Sequence, residues 1–150
     1  MMVKKIKEVM NKKVVKITND KTVLDAARLM TKRSVGCIIV TSGIKVLGIV
    51  TERDFVSKVL AEPFDPKRVL LGDIATTPLF TISSNQTIKE AAELMVKYKV
   101  RRLPVIDKGS LVGIITANDL VKLITSKVKD EDLFIKAVAR DKPVPSGIYT

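Results

Sequence analysis

Gly48-Ile49-Val50-Thr51-Glu52-Arg53-Asp54 is written again sixty-five residues later as Gly113-Ile114-Ile115-Thr116-Ala117-Asn118-Asp119, and this recurrence decides the fold. Carried outward at the same offset, residues 6–59 align with 71–124 without a gap, and fourteen of those 54 pairs are identical. Thr22/Thr87, Ala26/Ala91, Met30/Met95, Val35/Val100 and Val40/Val105 are among them, and many other pairs keep apolar character. One structural unit has been written twice.

Each copy reads in the same order. A short extended piece comes first, Val14-Val15-Lys16-Ile17 in one and Leu79-Phe80-Thr81-Ile82 in the other. A helix follows, opened by Thr22 with Asp25 or by Thr87 with Glu90, the spacing of a capping box. Val23, Ala26, Ala27 and Met30 then fall on one face at helical spacing, as do Ile88, Ala91, Ala92 and Met95. Two apolar runs around Ser42-Gly43, and two more around Asp107-Lys108-Gly109, predict hairpins. A second helix closes each unit, with Phe55, Val56, Val59 and Leu60, or Leu120, Val121 and Ile124, expected on a buried stripe.

The fold class is therefore α+β: two βαββα repeats, each too small to be comfortable alone, packed about a pseudo-twofold with a shared cleft. Along the chain the repeats occupy 1–62 and 71–126, joined by a linker at 63–70 that Pro63 and Pro66 keep from being helical. The tail, 127–150, is expected to hold a short helix at 131–140 and then an irregular stretch at 143–147.

Composition narrows the chemistry. The chain has no histidine and one cysteine, so His-based proton transfer, Ser-His and Cys-His nucleophile pairs and a Cys/His zinc cage all lack their parts. The expectation is a protein that is not an enzyme and needs no cofactor or metal. Cys37 sits in the apolar run Cys37-Ile38-Ile39-Val40 and reads as a core thiol. No run is long and apolar enough for a membrane span, and the N-terminus lacks a signal-peptide core, so a cytoplasmic location is expected. The net charge of +11 favours anionic partners, with six lysines against one glutamate in residues 1–16.

The recurring segment lies where the hairpin passes into the closing helix. Free N–H groups and the positive end of a helix attract phosphate, a Thr hydroxyl can donate to it, and a carboxylate can accept from ribose hydroxyls. The same Thr-x-x-Asp spacing also makes a plain capping box, as at Thr22 and Thr87, so the pattern leaves both readings open. The glycine three residues before each Thr marks a close approach of backbone or ligand.

A 65-residue duplication with this element order and these closing segments resembles tandem CBS domains, the repeat named after cystathionine beta-synthase. The resemblance implies a regulatory module that binds AMP, ADP, ATP or S-adenosylmethionine, with NAD as a related candidate, and that signals to a separate, unidentified effector protein. It implies that Thr51 and Asp54 touch the ligand at one site and Thr116 and Asp119 at the other, with Arg53 and Asn118 beside them. Each cage is expected to borrow walls from the opposite copy: Met10, Val35 and Gly36 for the Asp119 site, with Arg101 near, and Ala75 and Val100 for the Asp54 site, with Gly36 near. Copy one lacks the proline that Pro104 supplies in copy two, so the two sites need not be equivalent. A homodimer is expected from the way such pairs associate. The competing expectation is a nucleic-acid-binding protein, motivated by the basic N-terminus and weakened by an aromatic content of only 4%.

Overall fold

The computed structural model describes residues 4–77 and 79–125, and the helix and irregular stretch expected in the tail lie outside them. After a 3-10 turn at Ile6–Glu8, repeat 1 runs β1 (Lys16–Thr18), α1 (Val23–Arg33), β2 (Cys37–Ser42), β3 (Lys45–Thr51) and α2 (Glu52–Phe55), the last continued by a π-helical turn over Val56–Leu60. A short α3 (Leu71–Ile74) precedes repeat 2, which runs α4 (Ile88–Tyr98), β4 (Arg102–Asp107), β5 (Ser110–Thr116) and α5 (Ala117–Thr125). The α+β class and the helix and hairpin order are as expected.

The duplication holds at the level of single hydrogen bonds and backbone angles. α1 and α4 both open on a complete capping box, Thr22 with Asp25 and Thr87 with Glu90, and both end on a left-handed residue, Ser34 at φ 54° and Lys99 at φ 55°. The hairpins β2–β3 and β4–β5 are antiparallel and carry a bulge at the equivalent step, Val40/Thr41 and Val105/Ile106.

The first strand is where the copies part. β1 pairs in parallel with β2, but the expected strand Leu79-Phe80-Thr81-Ile82 is reduced to one bridge, Ile82 with Val105. The reason is Pro104. In repeat 1 the Ile39 N–H donates to Val15 O at 3.0 Å, and Pro104, the counterpart of Ile39, has no N–H to give. Phe80 instead stacks its ring on Tyr98, with centroids 4.1 Å apart.

The packing units are not continuous in sequence. The segment before repeat 1 docks on repeat 2: Ile6 and Lys7 N–H donate to Gln86 O and Ser84 O, and Ile88 N–H donates to Lys4 O. The segment before repeat 2 does the same to repeat 1, with Leu71 and Gly72 N–H donating to Lys21 O and Asn19 O, and Val23 N–H to Val69 O. Ile6, fully buried, belongs to the core of Ile82, Ala91, Met95, Leu103, Val105 and Ile115. Leu71, equally buried, and Ile74 belong to the core around Val23, Ala26, Met30, Ile38, Val40 and Val50.

The crossing also explains the two repeated glycines. Thr76 exchanges two backbone hydrogen bonds with Ile49, and Asn11 exchanges two with Ile114. A methyl group at Gly48 would stand 2.6 Å from Thr76 O and 2.8 Å from Thr77 Cγ2, and one at Gly113 would stand 2.7 Å from Met10 Sδ. The docking segments make the close approach, by backbone first at Gly48 and by the Met10 side chain first at Gly113.

The closing helices bury less than their sequence suggests. Phe55 and Val59 face the core, but Val56 and Leu60, one residue further on in each case and so about 100° round the helix, are 58% and 68% exposed. Val121 and Ile124 are likewise turned to solvent, while Leu120 packs half-buried against the second core.

Ser84 is buried, and its hydroxyl and N–H both donate to the Asp107 carboxylate, which also accepts from the Ser83 hydroxyl. These hydrogen bonds, those from Ser84 foremost, hold the Asp107 carboxyl below the usual carboxylate range.

Two outcomes follow from the packing. Gly48→Ala should cost about 1–3 kcal/mol in chemical denaturation, because rigid backbone opposes the methyl, and should cost more than Gly113→Ala, where the nearest atom is a flexible thioether. Because the Asp107 pKa is depressed on folding, its contribution is present above the unfolded value and lost as pH falls below about 4. The difference in melting temperature between the parent and Asp107→Asn should therefore be largest near neutral pH and shrink on acidification; a constant difference would refute it.

Candidate functional site

The reciprocal docking leaves a cavity of about 220 Å³ between the repeats. Repeat 1 supplies Val35, Gly36, Cys37 and Ile39, and the stretch leading into β1 supplies Asn11, Lys13, Val14 and Val15. Repeat 2 supplies Arg102, Ile114 and Thr116. Arg102 and Thr116 also line an adjoining recess of about 110 Å³, completed by Arg101, Ala117 and Asn118. Apolar walls thus pass into a mouth with two guanidiniums, beside the N-terminus of α5.

Thr116, Val35 and Gly36 line this cavity, and Arg101 and Asn118 the recess beside it. Met10 is not in the cavity wall; it packs half-buried on the second core against Gly113, and its neighbour Asn11 takes the wall position. Asp119 accepts a hydrogen bond from the Thr116 N–H at 2.9 Å, and its own N–H donates to Thr116 Oγ1 at 3.2 Å. It lines a third depression, of about 320 Å³, with Lys4, Glu8, Val9, Lys122 and Leu123.

The residues expected around Asp54 are less closely gathered. Thr51 and Asp54 form the equivalent capping box, with Thr51 N–H and Oγ1 donating to Asp54 Oδ2 at 2.8 and 3.1 Å. Ala75 follows α3 and packs beside Gly48, Val100 packs on the second core, and the Arg53 side chain is exposed. Val35 and Gly36 line a further depression of about 420 Å³ on repeat 1, with Met30, Ser34, Glu52 and Phe55. The capping-box reading of Thr51-Asp54 and Thr116-Asp119 is thus realised in both copies, and it sets the carboxylates rather than excluding them from ligand contact.

Cys37 is not the core thiol expected. It opens β2 at the seam between the repeats, so it is only half-buried and faces the cavity. Burial pushes its thiol up, the Arg102 guanidinium beside it opposes this by charge and hydrogen bond, and Glu52 raises it further. Arg102 and Glu52 were not among the residues singled out by sequence. A methyl at Gly36 would lie 3.3 Å from Glu52 Oε1 and 3.9 Å from Arg102 Nη2. The available signal was the 65-residue offset itself, which pairs Cys37 with Arg102 and so places both next to the symmetry axis.

Against known proteins, the CBS domain family matches twice, over residues 6–61 and 71–126. The chain belongs to the CBS domain family. Proteins built as CBS pairs are regulatory modules. The uncharacterized protein MJ0450 of Methanocaldococcus jannaschii is 37% identical over 115 residues, which cover 75% of this chain and 62% of that protein. The chain thus spans less than two thirds of that relative. A hexameric CBS-CP12 protein from bloom-forming cyanobacteria is 30% identical with a TM-score of 0.73, covering 97% of this chain and 79% of the other. The CBS domain pair of protein MJ0100, solved in complex with 5′-methylthioadenosine and S-adenosyl-L-methionine, shares the fold at 23% identity and TM-score 0.76, covering 85% of this chain and all of the other. Among the described residues no helix is long and apolar enough to cross a membrane.

Proposed function

We propose that this CBS pair is a non-catalytic cytoplasmic sensor that takes an adenine nucleotide in the cleft between its repeats and passes the bound state to a separate effector protein. The carrying observation is the joined cavity. Val15, Val35, Ile39 and Ile114 offer apolar surface to a base, and the connected recess presents Arg101 and Arg102 at the mouth of α5. Guanidiniums pair with phosphate oxygens in fork geometry, and the helix N-terminus adds a favourable dipole. Asn118 adds an amide at the recess, and Thr116 a hydroxyl whose hydrogen is free to turn toward it.

The same fold holds adenosyl ligands in the MJ0100 pair, which supports the class of ligand. Two guanidiniums favour AMP, ADP or ATP over a ligand centred on a sulfonium cation, and NAD carries the same diphosphate chemistry. Differential contact with the repeats is what would let the ligand shift their relative placement.

A nucleic-acid reading rests on a distinct observation: Lys4, Lys5, Lys7, Lys12, Lys13 and Lys16 are all exposed. The stacking partners for unpaired bases are few, and Phe80 and Tyr98 stack on each other.

Association of two copies is the expected state. Val56, Leu60, Val96, Val121 and Ile124 present apolar side chains to solvent from the helices, and the similar CBS-CP12 protein is hexameric, which supports this reading.

A thermal-shift panel with AMP, ADP, ATP, NAD and S-adenosyl-L-methionine tests the sensor reading. A ligand at 100 times its Kd adds about 2.7 kcal/mol, roughly 5–10 °C for a chain of this size. Arg102→Ala should abolish the shift with the phosphorylated ligands. No shift with any adenine ligand, together with oligonucleotide binding that weakens steeply with salt, would replace the sensor reading by the nucleic-acid one. Sedimentation at micromolar concentration should show a dimer or larger species; a monomer would refute the assembly.

A further inference from the structure

The two repeats present the same corner in opposite relief. On repeat 1 the last turn of α1, the residues after it and the start of α2 enclose the depression of about 420 Å³, and Glu52 is the charged residue of its lining. The matching corner of repeat 2 is built from α4 and α5. At the 65-residue offset Thr31, Ser34, Gly36 and Glu52 become Val96, Lys99, Arg101 and Ala117. Small side chains give way to long ones, and the acid gives way to two cations. Val96 is 80% exposed, and Lys99 and Arg101 also stand in solvent.

The backbone of the two corners corresponds, so the difference lies in the side chains. Ser34 and Lys99 occupy matching left-handed turns, at φ 54° and 55°. Glu52 N–H donates to Gly36 O just as Ala117 N–H donates to Arg101 O. Among the described residues Glu52, Lys99 and Arg101 form no ion pair. Repeat 1 therefore offers a hole lined by a carboxylate, and repeat 2 offers a basic knob at the equivalent place.

We infer that a second copy of this chain fills the hole: two copies associate head to tail, with repeat 2 of each seated on repeat 1 of the other, so that Lys99 and Arg101 of one copy meet Glu52 of the second. This rests on the self-association reading above and adds its orientation. A twofold axis closes the arrangement, because the contact from Glu52 to Arg101 is returned from Arg101 to Glu52. Setting like repeat on like repeat would place Lys99 and Arg101 against their own copies and leave hole facing hole, and apposed like charges disfavour it. Val56 and Val121, paired at the offset and both exposed on the closing helices, add apolar area beside the charges.

The test is charge exchange, read by sedimentation without nucleotide, because Arg101 also borders the recess. Glu52→Arg and Arg101→Glu should each weaken self-association at least tenfold, and the chain carrying both should regain the parent's affinity. Ser34→Lys, which puts into repeat 1 the residue that the matching turn of repeat 2 carries as Lys99, should fill the hole and weaken association while its circular dichroism matches the parent. Mixed with the parent, the double variant should sort into separate assemblies in native mass spectrometry; in a like-on-like dimer the exchanged charges would attract and the two chains would mix. Single variants that associate as tightly as the parent, a folded double variant that stays dissociated, or mixed assemblies of parent and double variant would overturn the head-to-tail pairing and leave self-association standing. A parent that sediments as a monomer would overturn both.

Discussion

The reciprocal docking of the two lead-in segments is the interaction on which the rest of the structure depends. Each repeat receives a mirror set of backbone hydrogen bonds from residues that belong, along the chain, to the other repeat's start. Ile6 and Leu71 are completely buried in cores they are not contiguous with, and each such burial is worth about 1.5–3 kcal/mol. Neither repeat has a closed core by itself, which fits the expectation that a unit of this size is marginal alone. The crossing also generates the cleft: Asn11 is pinned to Ile114 while Val14 and Val15 return to repeat 1, so the chain itself forms one wall between the halves.

Much of this was legible in the sequence because a duplication constrains two places at once. The capping boxes, the hairpins and the helix faces appear in both copies, so each confirmed the other. The lead-ins were harder to place, because apolar residues at 6–10 and 71–75 declare that they are buried without declaring against what. Pro104 made the sequence pattern of the strand at 79–82 misleading: periodicity reports which side chains face inward, and a ladder also needs the N–H that proline lacks. Val56 and Leu60 misled for a related reason, since an apolar stripe records a need for cover and not which chain supplies it.

The candidate site was legible only in part, because self-similarity highlights what the repeats share, such as Val35, Ile114 and Thr116, and the rest of the cleft lining is what they do not. Thr51/Thr116, Asp54/Asp119 and Gly48/Gly113 are identical pairs, and in the structure they build caps and admit backbone. Gly36/Arg101, Cys37/Arg102 and Glu52/Ala117 are unlike pairs, and these line the cleft or the depressions beside it. Unlike pairs carry no signal in a self-comparison until the axis relating the repeats is known.

That division has a physical consequence for how the molecule can respond. The docking segments hold the two halves in one arrangement through backbone hydrogen bonds and buried aliphatic contacts that correspond on the two sides. The unlike pairs then load one side of the cleft with Arg101 and Arg102 and the other with Glu52, against a floor that includes the half-buried Cys37. Arg102 and Cys37 line the same cavity from opposite repeats, so an anion drawn to the recess would engage a guanidinium that stands at the seam. A ligand that only filled the apolar space would leave that guanidinium unengaged. One that also carried phosphate would draw on it, and the difference between those two states is what an effector protein would have available to read.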